Sequence, residues 1–115
     1  MFRHIESTRL GTVDVVKILE PRLIDDPRLD ELRAEIGQVF GNRRGAHLLL
    51  DLGRVEFLSS AVLEMLSSFY RLLNAAGGQL RLCGLTPEIA DVFRTTKLER
   101  LFPIHTDVDE ALPLF

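Results

Sequence analysis

Apolar positions along this chain follow two spacings, and those spacings divide it into strands and helices. Thr12 to Leu19 is dense in β-branched residues, with Val13, Val15, Val16, Ile18 and Leu19, and reads as a strand. Phe2 to Arg9 alternates more weakly, and Leu10-Gly11 is placed to turn it back on that strand as a hairpin. A helix is expected after Asp26, which can cap it, with Pro27 at its first position and Asp30 and Glu31 near its positive end. Its apolar residues Leu29, Leu32, Ile36, Val39 and Phe40 recur at helical spacing, and Gly41-Asn42 with Gly45 supplies the stop.

Ala46 to Leu52 is nearly continuous in apolar character, as expected of a central strand covered on both sheet faces. Ser59-Ser60 then precedes a helix expected from Ala61 to Ala76 and closed by Gly77-Gly78. Eight apolar residues between Val62 and Leu73 occupy about half of its circumference, a wide arc for a helix with one side in water. Met65 with Leu72, and Leu63 with Tyr70, form the margins of that arc, and Met65 and Leu72 are candidate partner contacts. Gln79 to Leu85 alternates as a strand, and Thr86-Pro87-Glu88 opens a further helix with Ile89, Val92 and Phe93 inward. Phe102 to His105 is a short strand candidate, and Thr106 or Asp107 can cap a last helix around Val108 to Leu112. The order is ββαβαβαβα, which calls for an α/β fold with a mixed, mostly parallel sheet and helices on one main face. Leu49, Leu66, Phe69, Leu82 and Phe93 are expected to share one core.

Composition narrows the function classes. A hydrophobic fraction of 46% beside 27% charged residues is globular, and 115 residues suit a single domain over 1–115. Fourteen Lys and Arg against 17 Asp and Glu give a formal charge of −3, which argues against a nucleic-acid partner. No apolar run approaches the ~20 residues that span a bilayer, so no direct membrane insertion is expected. With one cysteine and no apolar leader, a cytoplasmic location is expected.

Little of the chain suggests catalysis. His4, His47 and His105 are scattered and show no metal-ligand spacing, so no metal and no cofactor are expected. Gly77-Gly78 closes a helix, whereas phosphate cradles open one. Asp25-Asp26 and Asp109-Glu110 sit at helix starts, where capping explains them, and Cys83 lies in a buried strand without a nearby base. Ser59 and Ser60 are more informative, because they lie between a buried strand and a helix N-terminus, at the strand end where open α/β sheets carry their sites. One of them can serve as the helix cap, and a phosphate there would be tolerated by the helix dipole.

The run LLLDLGRVEFLSSAVLEML, followed by AAGGQLRLCGLTPEIADVFRTTKLERLFPIHTDVDEAL, resembles the STAS domain of bacterial anti-anti-sigma factors over essentially the whole chain. In that family a strand ends in aromatic, aliphatic, Asp, Ser, Ser or Thr, Gly, and the serine after the Asp is phosphorylated by a kinase that is also the anti-sigma factor. Phe57 and Leu58 match the first two positions, Ser59 stands at the Asp, Ser60 at the phosphoacceptor, Ala61 at the second hydroxyl and Val62 at the Gly. The resemblance implies a non-catalytic, partner-switching anti-sigma factor antagonist with Ser60 as its phosphorylation site. It implies a partner surface of Ser59, Ser60, Ala61 and Val62, to which the helix margin adds Met65 and Leu72. The implied partner is an anti-sigma factor and serine kinase of the histidine-kinase-like ATPase type, with the chain itself a monomer or weak dimer. The alternative within the family is a phosphorylation-independent STAS subunit of a lipid-transport complex or stress-signalling scaffold.

Overall fold

A computed structural model describes residues 1–115. Strands β1 (Ile5–Leu10) and β2 (Val13–Ile18) form the expected antiparallel hairpin, but its loop is Gly11–Thr12, so Leu10 is the last strand residue and pairs with Val13. Gly11 takes the positive φ of 63° that so tight a loop requires, a conformation that leucine would resist. The chain continues through a two-residue β3 (Arg22–Leu23), helix α1 (Pro27–Phe40), β4 (His47–Asp51), a two-residue β5 (Phe57–Leu58), helix α2 (Ser60–Ala75) and β6 (Gln79–Cys83). Helix α3 (Pro87–Thr95), β7 (Ile104–His105) and a one-turn α4 (Val108–Ala111) complete it.

The main sheet has the order β1-β2-β4-β6-β7, antiparallel only between β1 and β2. Its centre is β4, where Leu48, Leu49 and Leu50 are all fully buried. Period-two alternation sends Leu48 and Leu50 to one face and Leu49 to the other. The first face carries the large core, which Val16, Ile18, Leu82, Leu66, Phe69 and Phe93 join. Leu49 instead packs with Val13, Val15, Cys83 and Ala111, in a smaller cluster that α4 helps to cover. The single core expected for Leu49, Leu66, Phe69, Leu82 and Phe93 is therefore two cores divided by the sheet, because a continuous apolar run does not reveal which face each residue takes. Burial raises the Cys83 thiol to about 12, so it remains protonated in this cluster.

Local signals set the helix ends. The Asp26 carboxylate accepts the Arg28 amide at 2.8 Å ahead of Pro27, Thr86 accepts the Ile89 amide ahead of Pro87, and Asp107 accepts the Glu110 amide at 2.9 Å. After α2, Gly77 adopts a φ of 79°, and a Cβ on Gly78 would fall 2.2 Å from the Ala46 carbonyl oxygen. That close approach is how the chain leaves the helix and enters β6 directly beside β4.

The N-terminal edge is fastened by a buried histidine. His4 Nδ1 lies 2.6 Å from Glu20 and Nε2 lies 2.7 Å from Glu31, while its backbone amide donates to Glu35 at 2.9 Å. Both ring nitrogens can donate to carboxylates only in the imidazolium form. The pKa of His4 is accordingly raised, chiefly by the Glu31 hydrogen bond; burial opposes the shift, and the Glu20 bond with the charges of Glu35 and Glu20 adds to it. Because the folded state holds this proton more tightly than the unfolded chain, the stabilisation is complete below the ordinary histidine pKa of 6.5 and is lost as pH rises through the higher folded value. Urea melts between pH 5.5 and 9 are expected to show wild-type stability falling across that window. His4→Gln is expected to flatten the fall, and an unchanged slope in that variant would remove His4 as its source.

Candidate functional site

The Ser59-Ser60 segment is held by the second, two-stranded sheet. β3 and β5 pair in parallel, Arg22 with Phe57 and Leu23 with Leu58. The Pro21 carbonyl accepts the Glu56 and Phe57 amides at 2.7 and 3.1 Å, and the Leu23 carbonyl accepts the Ser59 amide at 2.9 Å. Val55 and Leu58 are buried beneath the loop, whereas Arg54, Glu56, Phe57 and Ser60 face outward. Buried anchors alternate with exposed side chains, so the loop presents a fixed surface.

The two serines have different environments. Ser59 is the N-cap residue of α2, and its carbonyl accepts the Val62 and Leu63 amides. Its hydroxyl makes no capping bond and is buried without a hydrogen-bond partner, so the expected side-chain cap is absent. Ser60 is the first residue of α2 and is exposed. With no acidic residue in the first turn and no capping side chain, the positive end of α2 is uncompensated next to the Ser60 hydroxyl.

The expected contact residues divide. Ser60 is exposed and Ala61 is half-buried beside it, but Val62 is fully buried in the main core and cannot be an accessible contact. Met65 is also buried, at 2% exposure, so its assignment to an exposed margin is corrected. Its position on the wheel is only ~20° inside that of Leu72, and that difference separates core from surface here. Leu72 is 59% exposed, yet it lies twelve residues along α2 from Ser60, about 18 Å at the helical rise, and belongs to a different patch. Leu63 and Tyr70 are half-buried and pack against the core.

Two residues outside the expected set join the surface. The Arg22 guanidinium lies over the Phe57 ring at 4.8 Å, and Phe57 is 43% exposed. Large aromatic and guanidinium groups held together on a surface are the side chains that dominate protein interfaces. Arg22 lies in a stretch with no readable period, and only the β3–β5 pairing brings it to this loop. On the outer stripe of α2, Glu64 follows Ser60 by one turn. The histidines do not converge, since His4 is at the β1 edge while His47 and His105 lie on the α4 side of the sheet, and no group of three His, Cys, Asp or Glu is placed to hold a metal ion.

The STAS domain family model matches residues 6–111. A Bordetella bronchiseptica protein, BtrV, described as a candidate anti-sigma factor antagonist, is 30% identical over 95 residues, covering 81% of this chain and 79% of that protein. The anti-sigma F factor antagonist of Paenibacillus polymyxa is 25% identical over 89 residues, covering 77% of this chain and 76% of its own. Among solved structures, an anti-sigma-factor antagonist (STAS) domain protein from Planctomyces limnophilus superposes with a TM-score of 0.84 at 22% identity, over 96% of this chain and 95% of that one.

The two helix positions can be tested by charge. Met65→Lys is expected to lower the melting temperature by more than about 10 °C, because it buries an ammonium without a partner. Leu72→Lys is expected to leave it within a few degrees. Calorimetry of both variants checks this, and equal effects would contradict the burial difference.

With its sheet order, its β3–β5 clasp and an exposed serine opening α2 already in place, the match over nearly the whole chain shows that this protein belongs to the STAS domain family.

Proposed function

We propose that this chain, acting as a single STAS domain over residues 1–115, is an anti-sigma factor antagonist that captures its partner through the Ser60 surface and releases it when Ser60 is phosphorylated. The observation that carries the reading is the contrast between the serines: the Ser60 hydroxyl opens α2 in an exposed position, while the Ser59 hydroxyl is buried. Of the two hydroxyls, that of Ser60 is the one presented to a kinase. The names of the Bordetella and Paenibacillus relatives support the antagonist role. The partner in this reading is an anti-sigma factor and serine kinase of the histidine-kinase-like ATPase type, and the contact surface is Ser59, Ser60 and Ala61 with Arg22 and Phe57.

The switch follows from electrostatics. A phosphate on Ser60 adds nearly two negative charges at the uncompensated positive end of α2, so the fold is not harmed by it. At the interface the same charge must be desolvated, one helical turn from the Glu64 carboxylate. Desolvating an unpaired charge costs several kcal/mol, against the roughly 8 kcal/mol that hold a micromolar complex.

Ser59 stands where the family motif has Asp, which leaves the Ser60 hydroxyl without that neighbouring carboxylate. This favours, as a second reading, a phosphorylation-independent STAS subunit of a lipid-transport complex or scaffold. The two readings separate in one experiment with a purified anti-sigma factor kinase and ATP. Phosphate is expected on Ser60 rather than Ser59 by mass spectrometry. Ser60→Ala is expected to hold the kinase in the presence of ATP, and Ser60→Glu to bind at least tenfold more weakly while melting as wild type does. Equal binding by both variants, with no phosphate on either serine, would leave the second reading.

A further inference from the structure

A groove of about 490 Å³ runs between the C-terminal halves of α1 and α2. Its volume lies within the ~300 to 1,000 Å³ of sites that accept small ligands or anchoring side chains. Phe40 and Phe69 meet edge to face in its wall with ring centroids 5.5 Å apart, and Leu72 stands in it at 59% exposure. A leucine this exposed on a structured helix beside buried aromatics forms a small apolar surface without a covering element.

Gly37 points to a use for the opening. It lies inside α1 with an ordinary φ, and a Cβ built on it would meet nothing within 4 Å. Neither backbone conformation nor close packing calls for glycine here, yet glycine in a helix costs about 0.5 to 1 kcal/mol relative to alanine. Its effect on this surface is to leave the groove open opposite Leu72.

The polar lining identifies the chemistry of the occupant. Arg33 and Arg43 line the groove, and no carboxylate does, although the chain as a whole carries a charge of −3. The two arginines differ in how firmly they are already paired. Arg43 donates from Nη2 to buried Asp14 and to the Val39 carbonyl and from Nε to the Phe40 carbonyl, which makes it a fixed part of the wall, while Arg33 pairs only with the exposed Asp30 on its own helix. Exposed pairs of that kind hold less than about 1 kcal/mol and exchange readily for a better partner.

We propose that this groove receives a short acidic amphipathic helix of a partner protein, with an aliphatic side chain seated beside Phe40, Phe69 and Leu72 and a carboxylate meeting Arg33. Helix-in-groove recognition combines such an apolar anchor with a charged rim. The site is separate from the Ser60 surface, about 18 Å along α2, and stands independently of the phosphorylation reading. A STAS domain with both surfaces can hold two protein segments at once.

The test uses the full chain and a fluorescent helical peptide with leucines at i, i+4 and i+7 flanked by glutamates. A second peptide has the same leucines and lysines in place of the glutamates. Anisotropy titrations at low salt are expected to give saturable binding of the acidic peptide, at least tenfold tighter than the basic one. Leu72→Asp and Gly37→Leu are each expected to weaken it tenfold or more with the melting temperature held within a few degrees, and Arg33→Glu to erase the preference for acid. Absence of saturable binding, equal affinity for the two peptides, or full affinity in Leu72→Asp would overturn the proposal. So would a concentration-dependent dimer in sedimentation equilibrium that Leu72→Asp dissolves, since the groove would then be covered by a second copy of this chain.

Discussion

Everything in this molecule depends on β4 being buried on both faces. Leu48, Leu49 and Leu50 have no exposure, so the sheet must be covered above and below at its centre. Burial at that density is affordable only for a strand whose amides and carbonyls are paired on both edges, and β2 and β6 supply those pairs in parallel. Parallel neighbours in turn require crossover connections, and α1 and α2 are those connections. The wet ends of the crossovers are where the chain can vary without disturbing the core. Ser60 lies at the start of one crossover helix, and the groove lies beside the ends of both.

The β3–β5 clasp turns a loop into a surface. Two residues per strand contribute little by themselves, but they fix the peptide ahead of α2 through three backbone bonds from Pro21 and Leu23. The same segment begins at Glu20, which is bonded to the buried His4 ring, and His4 is bonded in turn to Glu31 on α1. A continuous set of charge-assisted and backbone hydrogen bonds therefore joins β1, α1, β3 and the Ser59-Ser60 segment. The charge-assisted bonds at His4 are stronger than neutral ones, and the backbone bonds to Pro21 and Leu23 hold the loop against the domain.

The sequence made the layered architecture legible because helix and strand periods, proline at first helical positions and Asp or Thr caps agree with one another along most of the chain. It was silent on β3 and β5, since two residues are too few to display any period. It could not assign Leu49 to its face, because every position of an unbroken apolar run looks alike. Ser60 is singled out by the motif resemblance, and the structure leaves it exposed at the start of α2. Either serine could have capped α2; Ser59 takes the N-cap position, but its hydroxyl makes no capping bond. Arg22 had no local signal at all.

The pair Met65 and Leu72 shows why helix periodicity alone falls short at margins. They occupy almost the same angle on α2, yet one is buried and the other is more than half exposed. Leu72 lines the groove beside α1, where Gly37 offers no side chain, whereas Met65 joins the main core. Gly37 meets no backbone or packing requirement, so a larger side chain there would narrow the opening at little cost to the fold.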